Sequence, residues 1–244
     1  MPWRLGIIEV GVIPEVPRAT YFPDVPADVL MEVPCYCFLV TDGHTHLLVD
    51  TGPDPVLAAK GDLRIVGPGP VALRQSLDVE RIALDDIDYI LHTHLHYDHI
   101  ENDPLFRRAQ VLVQQRELSW ARSPEAGRFY VGVDELIASL GDRLAIVDGE
   151  REILPGIWLL PNGGHTPGHQ SVLVRTAGDL VCVCGDIVPM TANLKVLCSA
   201  TPNVDQAQAF LDRSRDAGWT MVPAHEPGLR EHPWLLRPVP ASSG

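Results

Sequence analysis

The 244-residue sequence lacks a long apolar run. Its most hydrophobic stretches, such as "DLVCVCGDIV", are interrupted by Asp and fall far short of the roughly 20 residues a membrane helix needs. The opening "MPWRLGIIEVGVIPEVP" carries a single Arg followed by prolines, with no basic segment leading into an apolar one, so no secretory leader is predicted and a cytoplasmic location is expected. Positive charge is scarce. Lys and Arg number 19 against 32 Asp and Glu, for a formal net charge of −13, which speaks against nucleic acid as a partner. Only five cysteines are present, and none has the C-x₂-C spacing of a thiolate zinc site. Cys35, Cys37, Cys182 and Cys184 form two C-x-C pairs inside strand-like runs. With Cys198 they read as small buried hydrophobes of a reducing compartment. Internal repeats and low-complexity segments are also absent.

What is present suits one soluble globular domain spanning 1–244, with 45% hydrophobic and 21% charged residues. Strands are predicted over 35–40 and 46–50 around a hairpin tip at Asp42-Gly43, with His44 and His46 as exposed loop histidines. Further strands are predicted over 87–93, 144–147, 157–160, 171–176 and 180–184. Helices are predicted over 71–78 and 205–218, the latter stopped by Gly218. "AQVLVQQREL" reads as a strand turning into a helix, and "WTMVPAHEPG" as a last strand. Two groups of strands separated by helices suggest two packed sheets with helices outside.

The densest chemistry lies in "LHTHLHYDHIEND", residues 91–103, with four histidines and two aspartates, Asp98 and Asp103. In an extended chain residues i and i+2 point the same way, so His94 and His96 can bind one ion together. If the chain turns at Asp98-His99, those two reach a second point nearby. Each ion then needs partners from elsewhere. Three are visible: His165 in "PNGGHTPGHQS", Asp186 closing the apolar strand "VCVCGD", and His225 in "MVPAHEPG". A carboxylate at the end of an apolar strand is costly unless it meets a cation.

H-x-H-x-D-H followed by "GHTPGH", "GD" and a late His, together with "LLVDTG", resembles the metallo-β-lactamase-fold hydrolase superfamily over about residues 30–230, and within it the N-acyl homoserine lactonase-like group. The resemblance implies an α/β fold, an αββα sandwich of two mixed sheets flanked by helices. It implies that His94, His96 and His165 hold a first metal, that Asp98, His99 and His225 hold a second, and that Asp186 bridges them. His92 then falls outside the set, His169 either backs the ligands or is structural, and Asp50 orients a ligand histidine. Zinc is the first choice for the two divalent ions, with iron, manganese and cobalt as alternatives.

Two ions sharing a carboxylate and a water make a hydrolase, because the pair supplies hydroxide at neutral pH. Asp98 and Asp186 are the candidate catalytic residues, Asp98 also passing a proton to the leaving group. A neutral, partly apolar small molecule, a lactone or carboxylic ester, is expected as substrate. Tyr21, Phe22 and Met31 are expected to line its pocket. Alternatives are a thioesterase of the glyoxalase II type, a phosphotriesterase or β-lactamase of the same fold, a non-catalytic metal-bearing domain, and an iron-dependent oxidoreductase. The 19 residues after His225 leave little room for a glutathione-binding region. Membrane is not expected as a partner, and a homodimer is the oligomer to test. Two positions depart from the resemblance. Pro189 stands where a Tyr assists the substrate carbonyl, with Thr191 or a metal as the expected substitute, and Glu101 replaces a Gly.

Overall fold

Period-two alternation of apolar side chains decides the architecture. In the computed structural model, which describes residues 2–231, "QSVLVR" turns Val172 and Val174 toward one core and Leu173 toward another. The tail from 232 onward lies outside the described residues. β1 (Arg4–Pro17), β2 (Leu30–Thr41), β3 (His46–Val49), β4 (Tyr89–Leu91), β5 (Gln110–Gln114) and β6 (Leu144–Val147) form a six-stranded mixed sheet in that order. β7 (Arg151–Leu154), β8 (Ile157–Pro161), β9 (Gln170–Arg175), β10 (Leu180–Val183) and β11 (Thr220–Val222) form a second, five-stranded sheet, with β11 parallel to β10 and the other neighbours antiparallel.

Phe38, Leu47, Val49 and Leu91 of the first sheet meet Val172, Val174, Val181 and Val222 of the second in a core between the sheets. Outside the first sheet, Leu73 and Leu77 of α2 (Pro70–Val79) and Ile137 and Leu140 of α5 (Val133–Leu140) cover Leu39, Leu48, Ile90 and Val111. Outside the second, Ala207, Phe210 and Leu211 of α6 (Val204–Asp216) cover Leu160, Leu173 and Cys182. Each fully buried large side chain contributes about 1.5–3 kcal/mol. The result is the expected αββα sandwich. No helix among the described residues is long and apolar enough to cross a membrane.

Several elements differ from the sequence reading. β1 was not predicted, because prolines and Glu15 interrupt its alternation. The strand accommodates them with irregularities between Glu9 and Gly11 and between Ile13 and Val16. β4 stops at Leu91, so His92 to His96 leave the sheet as irregular chain and reach the edge of the sandwich. His46 is half-buried in β3, its Nδ1 2.7 Å from the Thr41 hydroxyl, and is not an exposed loop residue.

Candidate metal centre

All seven expected ligands follow the C-terminal end of a strand at one edge of the sandwich. His94 and His96 leave β4, and Asp98 and His99 lie in the single turn α3 (Tyr97–Ile100). His165 lies in the β8–β9 loop, Asp186 follows β10 and His225 follows β11. Gly185 permits the turn that places Asp186. Its φ is +61°, and a Cβ there would lie 2.6 Å from His169 Nε2. That nitrogen accepts the Asp186 N–H at 3.0 Å.

Donor atoms converge in three groups, each spanning no more than 4.8 Å: His94, His96 and His165; His94, His99 and Asp186; and Cys35, Asp98 and His225. Asp186 sits between them. Its Oδ1 is 3.3 Å from His99 Nε2 and 3.1 Å from His225 Nε2, and its Oδ2 is 3.6 Å from His165 Nε2. Asp98 Oδ2 is 3.6 Å from His99 Nε2 and 3.8 Å from His225 Nε2.

The outer nitrogens fix which way each ring presents its lone pair. A carbonyl or carboxylate can only accept, so His225 Nδ1 donates to Pro34 O at 2.7 Å, His165 Nδ1 to Ala200 O at 3.3 Å and His99 Nδ1 to Asp50 Oδ2 at 2.8 Å. Thr93 donates its hydroxyl to Asp50 Oδ2 and therefore accepts from His94 Nδ1 at 3.1 Å. In neutral His99, His165 and His225, the Nε2 lone pairs then face carboxylate oxygens. Such contacts require a positive charge between the two atoms. His99 Nε2 and Asp186 Oδ1 are buried and make no hydrogen bond despite their proximity. Two orphaned acceptors facing each other, within an imidazole and carboxylate donor set, fit a divalent cation such as zinc.

The electrostatics agree. Burial and neighbouring imidazoles push His94 and His96 well below the usual histidine range, leaving them neutral. Burial opposes charge on His99 and His225 too, but Asp98 and Asp186 outweigh it beside His99, and Asp186 beside His225, and hold both rings well above that range. In the ion-free protein a proton supplies the positive charge the carboxylates demand. Burial pushes the Cys35 thiol up to about 11.

His92 belongs to none of the three groups. Its Nε2 is 2.8 Å from Asp103 Oδ2 and its Nδ1 is 3.4 Å from Asp50 Oδ1. Burial works against its charge, yet the two carboxylates raise it to about 9. His169 donates from Nδ1 to Asn162 Oδ1 at 2.7 Å. Asp50 adopts a left-handed φ of 58° and accepts from Thr93 N, Thr93 Oγ1 and His99 Nδ1.

Sequence reasoning missed Glu117. It is buried in α4 (Gln115–Ala121) and accepts from Leu95 N at 2.9 Å, Tyr130 Oη at 2.9 Å and Thr166 Oγ1 at 2.6 Å. It thus ties the His94–His96 segment to the His165 loop. A lone acid beside apolar Leu118 was its only signal. Cys35 was read as a plain hydrophobe.

A cavity of about 380 Å³ opens beside the cluster, reaching His96, Asp98, His165 and Asp186, with Ile13, Val16, Leu63 and Phe129 on its apolar walls. Of the three expected pocket residues only Tyr21 lines it. Phe22 and Met31 pack behind, against the cluster of Tyr21, Val33, Met190 and Cys198. Thr191 is exposed and not in the lining, whereas Pro189 is. The Tyr21 ring lies 6.5 Å from that of His225, and its phenol feels the carboxylates of Asp186 and Asp98. Two arginines also line the cavity. Arg64 pairs with Glu15, and Arg128 lies over the Phe129 ring at 5.3 Å.

Residues 30–225 match the metallo-beta-lactamase superfamily. An N-acyl homoserine lactonase of Bacillus sp is 30% identical over 157 residues, covering 60% of each chain, so the chain spans about 60% of the length of such curated relatives. A solved quorum-quenching N-acyl homoserine lactone lactonase superposes with a TM-score of 0.78 at 23% identity, covering 93% of this chain and 94% of that one. AidC, a dizinc quorum-quenching lactonase in complex with its product, superposes with a TM-score of 0.74 at 18% identity, covering 98% and 92%.

Proposed function

The chain belongs to the metallo-beta-lactamase superfamily, and from that premise we propose a dinuclear metal-dependent hydrolase that opens a lactone or neutral carboxylic ester. The observation that carries the reading is the set of converging, hydrogen-poor donors at the foot of a largely apolar cavity. His94, His96 and His165 would hold one ion, Asp98, His99 and His225 the other, and Asp186 would contact both. Two divalent ions there would lower the pKa of a shared water and polarise the substrate carbonyl.

The chain's own residues do the rest. Asp50, Pro34 and Ala200 hold His99, His225 and His165 with their Nε2 atoms inward, so no reorganisation is needed when substrate arrives. Asp98 lines the cavity and offers a carboxylate that can carry a proton to the departing alkoxide. Tyr21 supplies the hydroxyl that Pro189 lacks, donating toward the carbonyl oxygen from the opposite end of the chain. Ile13, Val16, Leu63 and Phe129 exclude water and receive an apolar tail. The five free cysteines suit a reducing cytoplasm, and we treat the chain as one catalytic domain.

One observation favours a second reading. Arg128 at the cavity would suit a thioester with an anionic tail. Steady-state kinetics on metal-analysed protein, with short- and long-chain acyl lactones beside a carboxylate-bearing thioester and a phosphotriester, separates the two. The lactone is expected to give the highest kcat/KM, and turnover of the thioester with inert lactones would replace the first reading by the second.

A further inference from the structure

Cys35 has chemistry that the seven-residue set leaves unused. Alternation along β2 turns Cys35, Cys37 and Leu39 away from the inter-sheet core. At the Cys35 end of the strand this face meets α3, which carries Asp98. The Cys35 sulfur, an Asp98 carboxylate oxygen and a His225 ring nitrogen lie within 4.8 Å of one another, and all three residues are buried. The thiol makes a long contact of 3.9 Å to the Val33 carbonyl and also reaches the His225 ring. Pro34, the residue before it, accepts the His225 Nδ1–H. One short stretch of β2 therefore both orients the imidazole and delivers sulfur to it.

We infer that Cys35 is a thiolate ligand of the second metal ion, alongside Asp98 and His225. This inference rests on the dinuclear hydrolase reading. Metal–sulfur bonds of about 2.3 Å and metal–nitrogen bonds of about 2.0–2.1 Å put neighbouring donors of a four- or five-coordinate ion about 3.1–3.6 Å apart, so the group closes on an ion with shifts of about 1–2 Å. Coordination replaces the S–H bond by a metal–sulfur bond, and the proton leaves to solvent. Sulfur adds a third anionic donor to Asp98 and Asp186. It biases the centre toward zinc, cobalt or iron and away from magnesium or manganese, which prefer oxygen.

The test is cobalt loading of the full chain, with bound cobalt counted by elemental analysis. A thiolate-to-cobalt charge-transfer band in the near ultraviolet is expected in the wild type and in Cys198→Ala. It should vanish in Cys35→Ser and Cys35→Val while the first ion stays bound, and the second ion should be held about 10- to 100-fold more weakly. Zinc-edge X-ray absorption of the wild type should show one sulfur neighbour at about 2.3 Å per two zinc ions, which decides the matter if both variants misfold. Two bound ions with only nitrogen and oxygen neighbours overturns the sulfur ligand and leaves the hydrolase reading standing. No stoichiometric metal overturns both.

Discussion

Tyr21 on the cavity wall and His92 against Asp50 and Asp103 both lie outside the donor set, and their substitution should separate chemistry from scaffolding. Tyr21→Phe removes one hydroxyl and little volume from the cavity wall. The loss of one donor aimed at a developing oxyanion costs about 10²–10³ in rate elsewhere. The expected result is a fall of that order in kcat, with bound metal and KM near wild type; an unchanged kcat makes Tyr21 only a wall. His92→Ala should act differently. The ring shields Asp103 and Asp50 from each other, and removing one partner of a buried ion pair costs about 3–5 kcal/mol. Denaturant unfolding should register that loss while the metal content of the folded fraction stays near normal. Asp186→Ala should strip metal, since its oxygens face His99, His225 and His165. If His92→Ala releases metal as fully as Asp186→Ala, the ligand set is wrong.

At the scale of elements, the β8–β9 loop and α4 are pressed together with no space for a side chain. A Cβ on Gly168 would lie 2.0 Å from the backbone nitrogen of Glu117, so the two backbones would have to part. Gly168→Ala is expected to destabilise by about 1–3 kcal/mol. It should also weaken metal binding, because Glu117 ties Thr166 to the His94–His96 segment. Thermal melting with a parallel chelator competition checks both effects, and unaltered metal affinity would show that the tie is only structural. The same elements show what a sequence can reveal. The Asp42-Gly43 hairpin and α6 were legible because turn residues and periodicity act locally. The histidine cluster was legible because its donors crowd into a few residues. Tyr21 was legible as a pocket residue, whereas Glu117 and Cys35 owe their places to neighbours far along the chain, and β1 hides its alternation behind prolines and irregular pairing.

For the whole molecule, the proposed centre would link the two sheets through their edges, with candidate ligands after β4 on one side and after β8, β10 and β11 on the other. Removing the ions leaves carboxylates and imidazoles to be held by protons alone. An ion present at 100 times its dissociation constant stabilises by about 2.7 kcal/mol. For a chain of this size each kcal/mol moves Tm by about 2–4 °C. Calorimetry should therefore record a fall of about 5–10 °C on chelation, reversed by added zinc, and an unmoved Tm would mean that the ions do not couple the sheets. The spacing of the ligands also sets an order of events during synthesis. His225 follows the last strand, whereas Cys35 lies in the middle of the second. A growing chain exposes Cys35, His94, His96, Asp98 and His99 long before its final ligand leaves the ribosome. Until then any captured ion would be held by a partial set and would exchange with the cell's pool. With the proposed ligand set, lasting occupancy of the second position would begin only after residue 225 has docked, and retained metal would record that the sandwich has been completed.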